Sequence, residues 1–435
     1  MLPSINKIYE KLIYNRLTNF FEKNNTIEDT QYGFRKGYST EMAVSKFYED
    51  TLINLDKGIA TCAILLDLSK AFDSVNREIL LFKLYKYGIR GNIHELITSY
   101  LSDRYQFIHS NNITSDKIKV NIGVPQGSIL SPLLFLIFIN DLRYCSKFEV
   151  INFADDTLLY MRFTETQDVN DTINQELSKI NEWMEQNHLK LNISKTKFMV
   201  FSPNTKNFKK TVQDLSLKLK NSQEIEQVSK YKYLGLTLDN KLRWDEHIKI
   251  LTTKLSRTLG ILFKIRNLVS TKSLLLITYS IFITHIRYGI VCWGRADKTI
   301  KKPIEVLLDR AVRCINFYRG FENKTTRLYY KTKLLKLDDL FNLELGKFMY
   351  RLTNNLLPKP FEPYFKPVNL IHSHNTRNAD NRLFIPRINK KKGQKSLSFL
   401  GSQKWNYIPQ KIKDSMSLKQ FTKKYEEFLL ENYRS

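Results

Sequence analysis

The chain has 435 residues, 42% hydrophobic and 12% aromatic, which indicates a globular protein with a large core and excludes a disordered or low-complexity one. Its formal net charge of +26 is uneven: residues 251–435 carry 36 Lys and Arg against 13 Asp and Glu, whereas residues 1–250 carry 33 against 30. Four scattered cysteines (Cys62, Cys145, Cys292, Cys314) point to reduced thiols inside the cell and exclude a zinc knuckle, and the N-terminus lacks a signal-peptide apolar core.

In chain order, residues 1–60 read as helical, with Ile5, Ile8, Leu12, Ile13 and Leu17 at helical spacing, around a loop at 31–40. The apolar run Thr61–Leu66 reads as a strand ending at Asp67, followed by a helix near Asn76–Tyr87. A turn with Pro125 and Gly127 leads into an apolar helix from Ser131–Pro132 to about Ile139, with Ser131 as N-cap. A second strand, Phe148–Phe153, ends just before Asp155–Asp156. Val169, Ile173, Leu177, Ile180 and Met184 then form the stripe of an amphipathic helix, and Phe198–Phe201 a further strand. This β-α-β-β-α-β order is the split ferredoxin-like arrangement. Pro203–Lys210 reads as a polar connection, Tyr231–Leu236 as an alternating strand or hairpin, and His247–Tyr318 as helical. Within that last region Leu274–Ile283 is too short to span a bilayer and reads as a buried helix.

Carboxylates at the ends of two strands, Asp67 and the Asp155–Asp156 pair, are what two-metal phosphoryl transfer requires. Hard divalent cations prefer oxygen donors, and two of them clamp the attacking and leaving oxygens. Between these sites lies Gly-Val-Pro-Gln-Gly-Ser (123–128), where Gly127 permits close backbone approach and Gln126 adds an amide.

Asp67-x4-Phe72, then Pro-Gln-Gly-Ser, then Phe-Ala-Asp-Asp resemble motifs A, B and C of a reverse transcriptase. Gln31–Thr40, Leu66–Asp73, Tyr87–Gly91 and Phe138–Leu142 resemble the enzymes of jockey-like non-LTR (LINE-type) retrotransposons, and the likeness runs from Leu2 to the C-terminus. The resemblance implies an α+β right-hand polymerase with partial fingers (1–60), a palm (61–245), a helical thumb (246–325) and a basic C-terminal region (326–435). It implies RNA-directed DNA synthesis with two Mg²⁺ ions, or Mn²⁺, on an RNA template and a DNA primer with dNTP substrates. No membrane is involved, and the location is intracellular, nuclear during integration and cytoplasmic as a ribonucleoprotein.

The implied metal set is Asp67, Asp155, Asp156 and Leu68. Phe72 would pack under the sugar of the incoming nucleotide and exclude a 2′-OH, which disfavours an RNA-dependent RNA polymerase. Gln126 and Gly127 would line the nucleotide. Lys195, in a stretch similar to motif D, would act on the leaving pyrophosphate. Arg35 and Lys36 would touch template phosphates, and Tyr233, Leu234 and Gly235 the primer end. Asp73 reads as a cap of the following helix.

The basic C-terminal part suits a phosphate-tracking surface, with aromatics interleaved at Phe317-Tyr318-Arg319, Tyr329-Tyr330-Lys331 and Lys404-Trp405. Relative to the family, the chain starts just after a basic finger strand that would contact the triphosphate. The expectation is therefore a truncated copy of a longer element protein, with a catalytically impaired, nucleic-acid-binding remnant as the alternative.

Overall fold

The computed structural model describes residues 4–164, 168–219, 223–318, 325–371, 382–388 and 390–434. Leu2 and Arg319, singled out in the sequence, lie outside them. The chain forms two compact units: the first takes the residues up to Tyr38 and Ala60–Val228, the second Ser39–Ile59 and everything from Ser229 onward.

Helix α1 (Ser4–Lys23) opens the first unit, and α2 (Thr40–Asp56) belongs to the second. The first unit continues with β1 (Ala60–Leu66), α3 (Arg77–Lys86) and α4 (Asn92–Leu101). Short paired strands β2 (Tyr105–Gln106), β3 (His109–Ser110), β4 (Ile113–Thr114) and β5 (Ile118–Lys119) make an exposed hairpin. Then come α5 (Leu130–Ile139), β6 (Glu149–Phe153), β7 (Asp156–Phe163), α6 (Val169–Gln186), β8 (Lys197–Phe201), α7 (Lys206–Asp214), β9 (Leu217–Lys218) and β10 (Glu224–Gln227).

The sheet order is β6-β7-β1-β8-β10-β9. Strands β8, β1, β7 and β6 are mutually antiparallel neighbours, which is the split βαββαβ arrangement expected from the element order. Strand β1 is central and buried along all seven residues, so it reads as an unbroken apolar run rather than an alternating one. Helix α5 is apolar on every side, and all its residues but Pro132 are buried in a core shared with β1, α3 and α6.

Several local expectations change. On α1 the buried line is Glu10, Ile13, Leu17 and Phe21, while Ile5 is 79% exposed and Ile8 and Leu12 also face outward. The apolar periodicity was real, but only its C-terminal half meets a partner. The helix cap at α5 is supplied by Ser128, whose Oγ accepts from the Leu130 and Ser131 amides (3.0 and 3.3 Å). Ser131 instead donates its hydroxyl back to the Pro125 carbonyl. Pro203–Lys210 is not all connection: Thr205 caps α7, and Phe208 is buried beside Phe163.

In the second unit, β11 (Lys230–Tyr233) and β12 (Leu236–Asp239) form a hairpin, followed by α8 (Asp245–Ile265), α9 (Thr271–Thr278), α10 (Thr284–Arg287), α11 (Ile290–Trp293) and α12 (Lys298–Ile315). The stretch Leu274–Ile283 is helical with a π-turn at Tyr279–Ile283, but it is only half-buried: Leu276 is 61% exposed. Helices α13 (Thr325–Thr332), α14 (Leu337–Thr353), α15 (Leu397–Tyr407), α16 (Gln410–Lys413) and α17 (Leu418–Glu431) complete the unit. The Glu49 carboxylate on α2 accepts from the Leu397 and Ser398 amides at the start of α15 (2.5 and 2.9 Å) and pairs with Arg295 at 3.3 Å. Both ionic side chains are fully buried. The tail of the sequence is thus built into the core of this unit.

Candidate active site

Strand β1 delivers Asp67 one residue past Leu66, which is paired with Thr157 on β7. Past the strand the chain stays anchored. The Asp67 amide donates to Thr196 Oγ1 (3.3 Å), and its carbonyl accepts from the Asn192 amide (2.8 Å). Leu68, itself buried, bridges Leu191, and the Ser69 amide donates to the Lys190 carbonyl. The neighbouring hairpin β6–β7 closes through Ala154 and Asp155, with Phe153 opposite Asp156 as its last pair. Ala154 has the left-handed φ of 56°, a conformation that an alanine adopts only when its surroundings impose it.

The three carboxylates therefore lie at one end of the sheet, where β1 stops and the β6–β7 hairpin turns. Asp156 is open to solvent, yet the protein around it removes part of its hydration, and Asp155 and Asp67 add negative charge. Desolvation first and these two charges second raise its carboxyl pKa above the ordinary value. Lys195 sits on the turn that starts at Asn192, and its Nζ lies 3.8 Å from Asp67 Oδ2. Among the described residues no group of three or more His, Cys, Asp or Glu forms a ready-made metal cage. An all-oxygen, under-neutralised donor set of this open kind fits Mg²⁺. That ion keeps several waters and takes other oxygens from substrate phosphates, rather than requiring an all-protein cage.

Phe72 is half-buried, its ring stacked on Phe135 with centroids 4.6 Å apart. The 123–128 turn crosses behind it. Val124 donates to the Phe72 carbonyl, and Gly123, at φ +79°, lies so close to Asp73 that a Cβ would sit 2.7 Å from its carbonyl oxygen. Gln126 and Gly127 are exposed on this turn. Gln126 Nε2 donates to both carboxylate oxygens of Asp73 (2.8 and 3.0 Å). The cap of α3 is Asn76, whose side chain accepts from Ile79, so Asp73 holds Gln126 instead of capping.

Sequence reasoning missed Glu10. This buried carboxylate accepts from the Ile129 amide (2.8 Å) and from the Tyr100 hydroxyl (2.9 Å), which also lies 2.7 Å from Ser128 Oγ. Burial pushes the Tyr100 phenol up to about 12, so it stays a donor. The available signal was a charged residue in register with the buried stripe Ile13, Leu17 and Phe21.

On the 31–38 loop, Arg35 closes its own loop. Its guanidinium donates to the Glu28 carbonyl (2.7 Å) and the Gln31 carbonyl, and lies over the Tyr38 ring. Lys36 is exposed. In the second unit, Leu234 and Gly235 form the two-residue turn of β11–β12, both at positive φ (44° and 79°), as a primed turn requires. Tyr233 is buried. Tyr288 donates to the Leu234 carbonyl (2.8 Å) and braces the turn. Of the aromatics beside basic residues, Tyr329 and Trp405 are core residues, Tyr329 bonded to Asp309 and Trp405 packed near Phe421. Phe317 and Tyr330 are exposed. Among the described residues no helix is long and apolar enough to cross a membrane.

A family model described as reverse transcriptase (RNA-dependent DNA polymerase) matches residues 1–238. The probable RNA-directed DNA polymerase from transposon BS of Drosophila melanogaster is 29% identical over 365 residues, 81% of this chain and 39% of that protein. The RNA-directed DNA polymerase from mobile element jockey of the same organism is 27% identical over 364 residues, with the same shares. The chain thus spans about two fifths of the length of these relatives (39%). Apo telomerase from Candida tropicalis aligns over 80% of this chain and 59% of its own, at 12% identity and a TM-score of 0.40.

Proposed function

The chain belongs to the reverse transcriptase (RNA-dependent DNA polymerase) family, and from that premise we propose that it carries the polymerase part of a jockey-like non-LTR retrotransposon protein. It extends a DNA primer 3′-OH on an RNA template, with dNTPs as substrates. The observation that carries this reading is the convergence of Asp67, Asp155 and Asp156 at one end of the sheet, where partial desolvation first and the charges of Asp155 and Asp67 second raise the Asp156 pKa. Such an arrangement is unfavourable unless cations neutralise it.

Two Mg²⁺ ions, held by Asp67, Asp155 and Asp156 with the main chain of Leu68, would supply charge stabilisation for the attacking and leaving oxygens. The chain's own residues do the positioning. The Phe72 ring, backed by Phe135, limits space at the sugar C2′ and so selects deoxyribonucleotides. Gln126, tethered to Asp73, and the open backbone at Gly127 flank the nucleotide. Lys195, its Nζ 3.8 Å from Asp67 Oδ2, would offer a positive charge, or a proton, to the departing pyrophosphate. Lys36 serves template phosphates from the exposed loop, with Arg35 stiffening it. The β11–β12 turn at Leu234–Gly235, following Tyr233, supports the primer end.

Primer extension on poly(rA)/oligo(dT) with Mg²⁺ tests the reading. Asp155→Asn should lower extension by about a hundredfold or more while template affinity stays within a few-fold, and extension above roughly a tenth of the parent rate would overturn the metal assignment.

A further inference from the structure

The loop at residues 30–33 lies directly on the turn that presents Asp155. The Asn152 amide donates to the Thr30 carbonyl (2.8 Å), and the Tyr32 amide donates to the Asn152 carbonyl (2.7 Å). Gln31 and Asn152 are therefore bridged in parallel fashion along the free edge of β6. The Gln31 side chain, 3% exposed, then reaches past this bridge. Its Oε1 accepts from the Gly33 amide (2.8 Å) and from the Ala154 amide (3.1 Å). Its Nε2 is buried with no hydrogen-bond partner among the described residues, so the carboxamide is held there for its oxygen. Gly33 makes the approach possible, since a Cβ on it would lie 2.4 Å from the Ala154 nitrogen.

Ala154 is also the residue in the left-handed conformation, and Asp155 follows it. An alanine at positive φ relaxes unless something over-determines it. Here that constraint is the Gln31 oxygen on its amide together with the Gly33 backbone at its back. We propose that Gln31 is a positioning residue for Asp155: it fixes the turn so that the carboxylate stands toward Asp67 before any cation arrives. This rests on the metal-site reading above and deepens it. Preorganisation of this kind matters because metal ligands must be held within a fraction of an ångström by groups that do not touch the metal.

The test uses the full chain with Gln31→Met, which keeps volume and length but removes the acceptor. Three quantities are read: hydrogen exchange over residues 150–158, Mn²⁺ binding by electron paramagnetic resonance, and kcat and KM for dNTP in primer extension. The expected result is local exchange at the turn faster by about fivefold to tenfold, with exchange in β10 unchanged. Mn²⁺ binding should weaken by about tenfold, and kcat should fall while KM for dNTP holds. Unchanged exchange and Mn²⁺ affinity in a folded Gln31→Met protein would overturn the proposal. If that variant does not fold, Gly33→Ala carries the test, since it pushes on Ala154 with the carboxamide intact. It must show the same local exchange increase and loss of Mn²⁺ affinity, or the proposal is refuted. Should Asp155→Asn leave Mn²⁺ affinity untouched, the metal reading fails, and the exchange measurement still decides whether Gln31 holds the turn.

Discussion

Replacing Glu49 should destabilise the second unit more than any surface change. Arg295 is fully buried and donates to Glu49, the Val291 carbonyl and the Lys395 carbonyl, with its guanidinium over the Tyr48 ring. Glu49→Leu leaves that guanidinium without its counter-charge and strips the acceptor from the Leu397 and Ser398 amides. Breaking a buried pair in this way costs about 3–5 kcal/mol, because one charge stays behind unpaired. For a unit of this size that corresponds to a drop in unfolding midpoint of roughly 6–20 °C. Intrinsic fluorescence is a suitable probe, since Trp244, Trp293 and Trp405 lie in the second unit and Trp183 alone in the first. The same reasoning makes a second demand. Glu49→Leu combined with Arg295→Met removes both charges, so the double variant should recover a large part of the loss despite the missing helix cap. A loss below about 1 kcal/mol for Glu49→Leu, or a double variant as unstable as the sum of the singles, would refute the account.

Phe72→Val should raise ribonucleotide relative to deoxyribonucleotide incorporation by at least about tenfold in competitive extension, and unchanged discrimination would make Phe72 a core residue only. Because the Asp156 pKa is raised in the fold, its ionised form is disfavoured there. The penalty is absent below the ordinary value of 3.8, grows as pH rises through the folded value and persists above it. Asp156→Asn should therefore raise the unfolding midpoint at neutral pH in chelator, with the gain vanishing in acid; a loss at neutral pH contradicts the repulsion. Burial lowers His247 from 6.5 to about 4, so the unfolded chain binds the extra proton between those values. His247 should then contribute a loss of about 3 kcal/mol between pH 7 and 4, read as the difference between the parent and His247→Gln in urea titrations, because Glu41, raised to about 7 by burial in the same unit, acts in the opposite sense in both proteins.

Much of the palm was legible because its signals are local. The mostly apolar run before Asp67 reads as a strand and Phe-Ala-Asp-Asp after a second run as a hairpin turn, and the family motifs put the two together. What escaped depended on partners far along the chain. Ile5, Ile8 and Leu12 have helical spacing, but spacing does not say which residues find something to pack against, whereas Glu10 found Ile129 and Tyr100. Ser131 directly before Pro132 reads as the cap, but the bend of the preceding turn brings Ser128 Oγ onto the Leu130 and Ser131 amides instead. Asp73 and Asn76 compete for one helix start, and Gln126, far off in sequence, withdrew Asp73 from the contest. The basic tail misled differently: Trp405 sits beside Lys404 in sequence and Tyr329 two residues before Lys331, yet both side chains are buried, because nearness along a helix says nothing about which side is wet.

The central position of β1 has a consequence for biosynthesis. Its seven residues, six of them apolar, leave the ribosome long before their neighbours: the partner β7 begins about 90 residues after Leu66, and β8 ends about 135 residues after it. At roughly 5–20 residues per second, β1 waits about 7–27 seconds for its second edge to exist. During that interval it offers two unpaired, greasy edges, the configuration most prone to pairing with another nascent chain. Translation speed and holding chaperones should therefore govern the yield of folded protein, and slowing elongation between residues 67 and 201 should lower the soluble fraction.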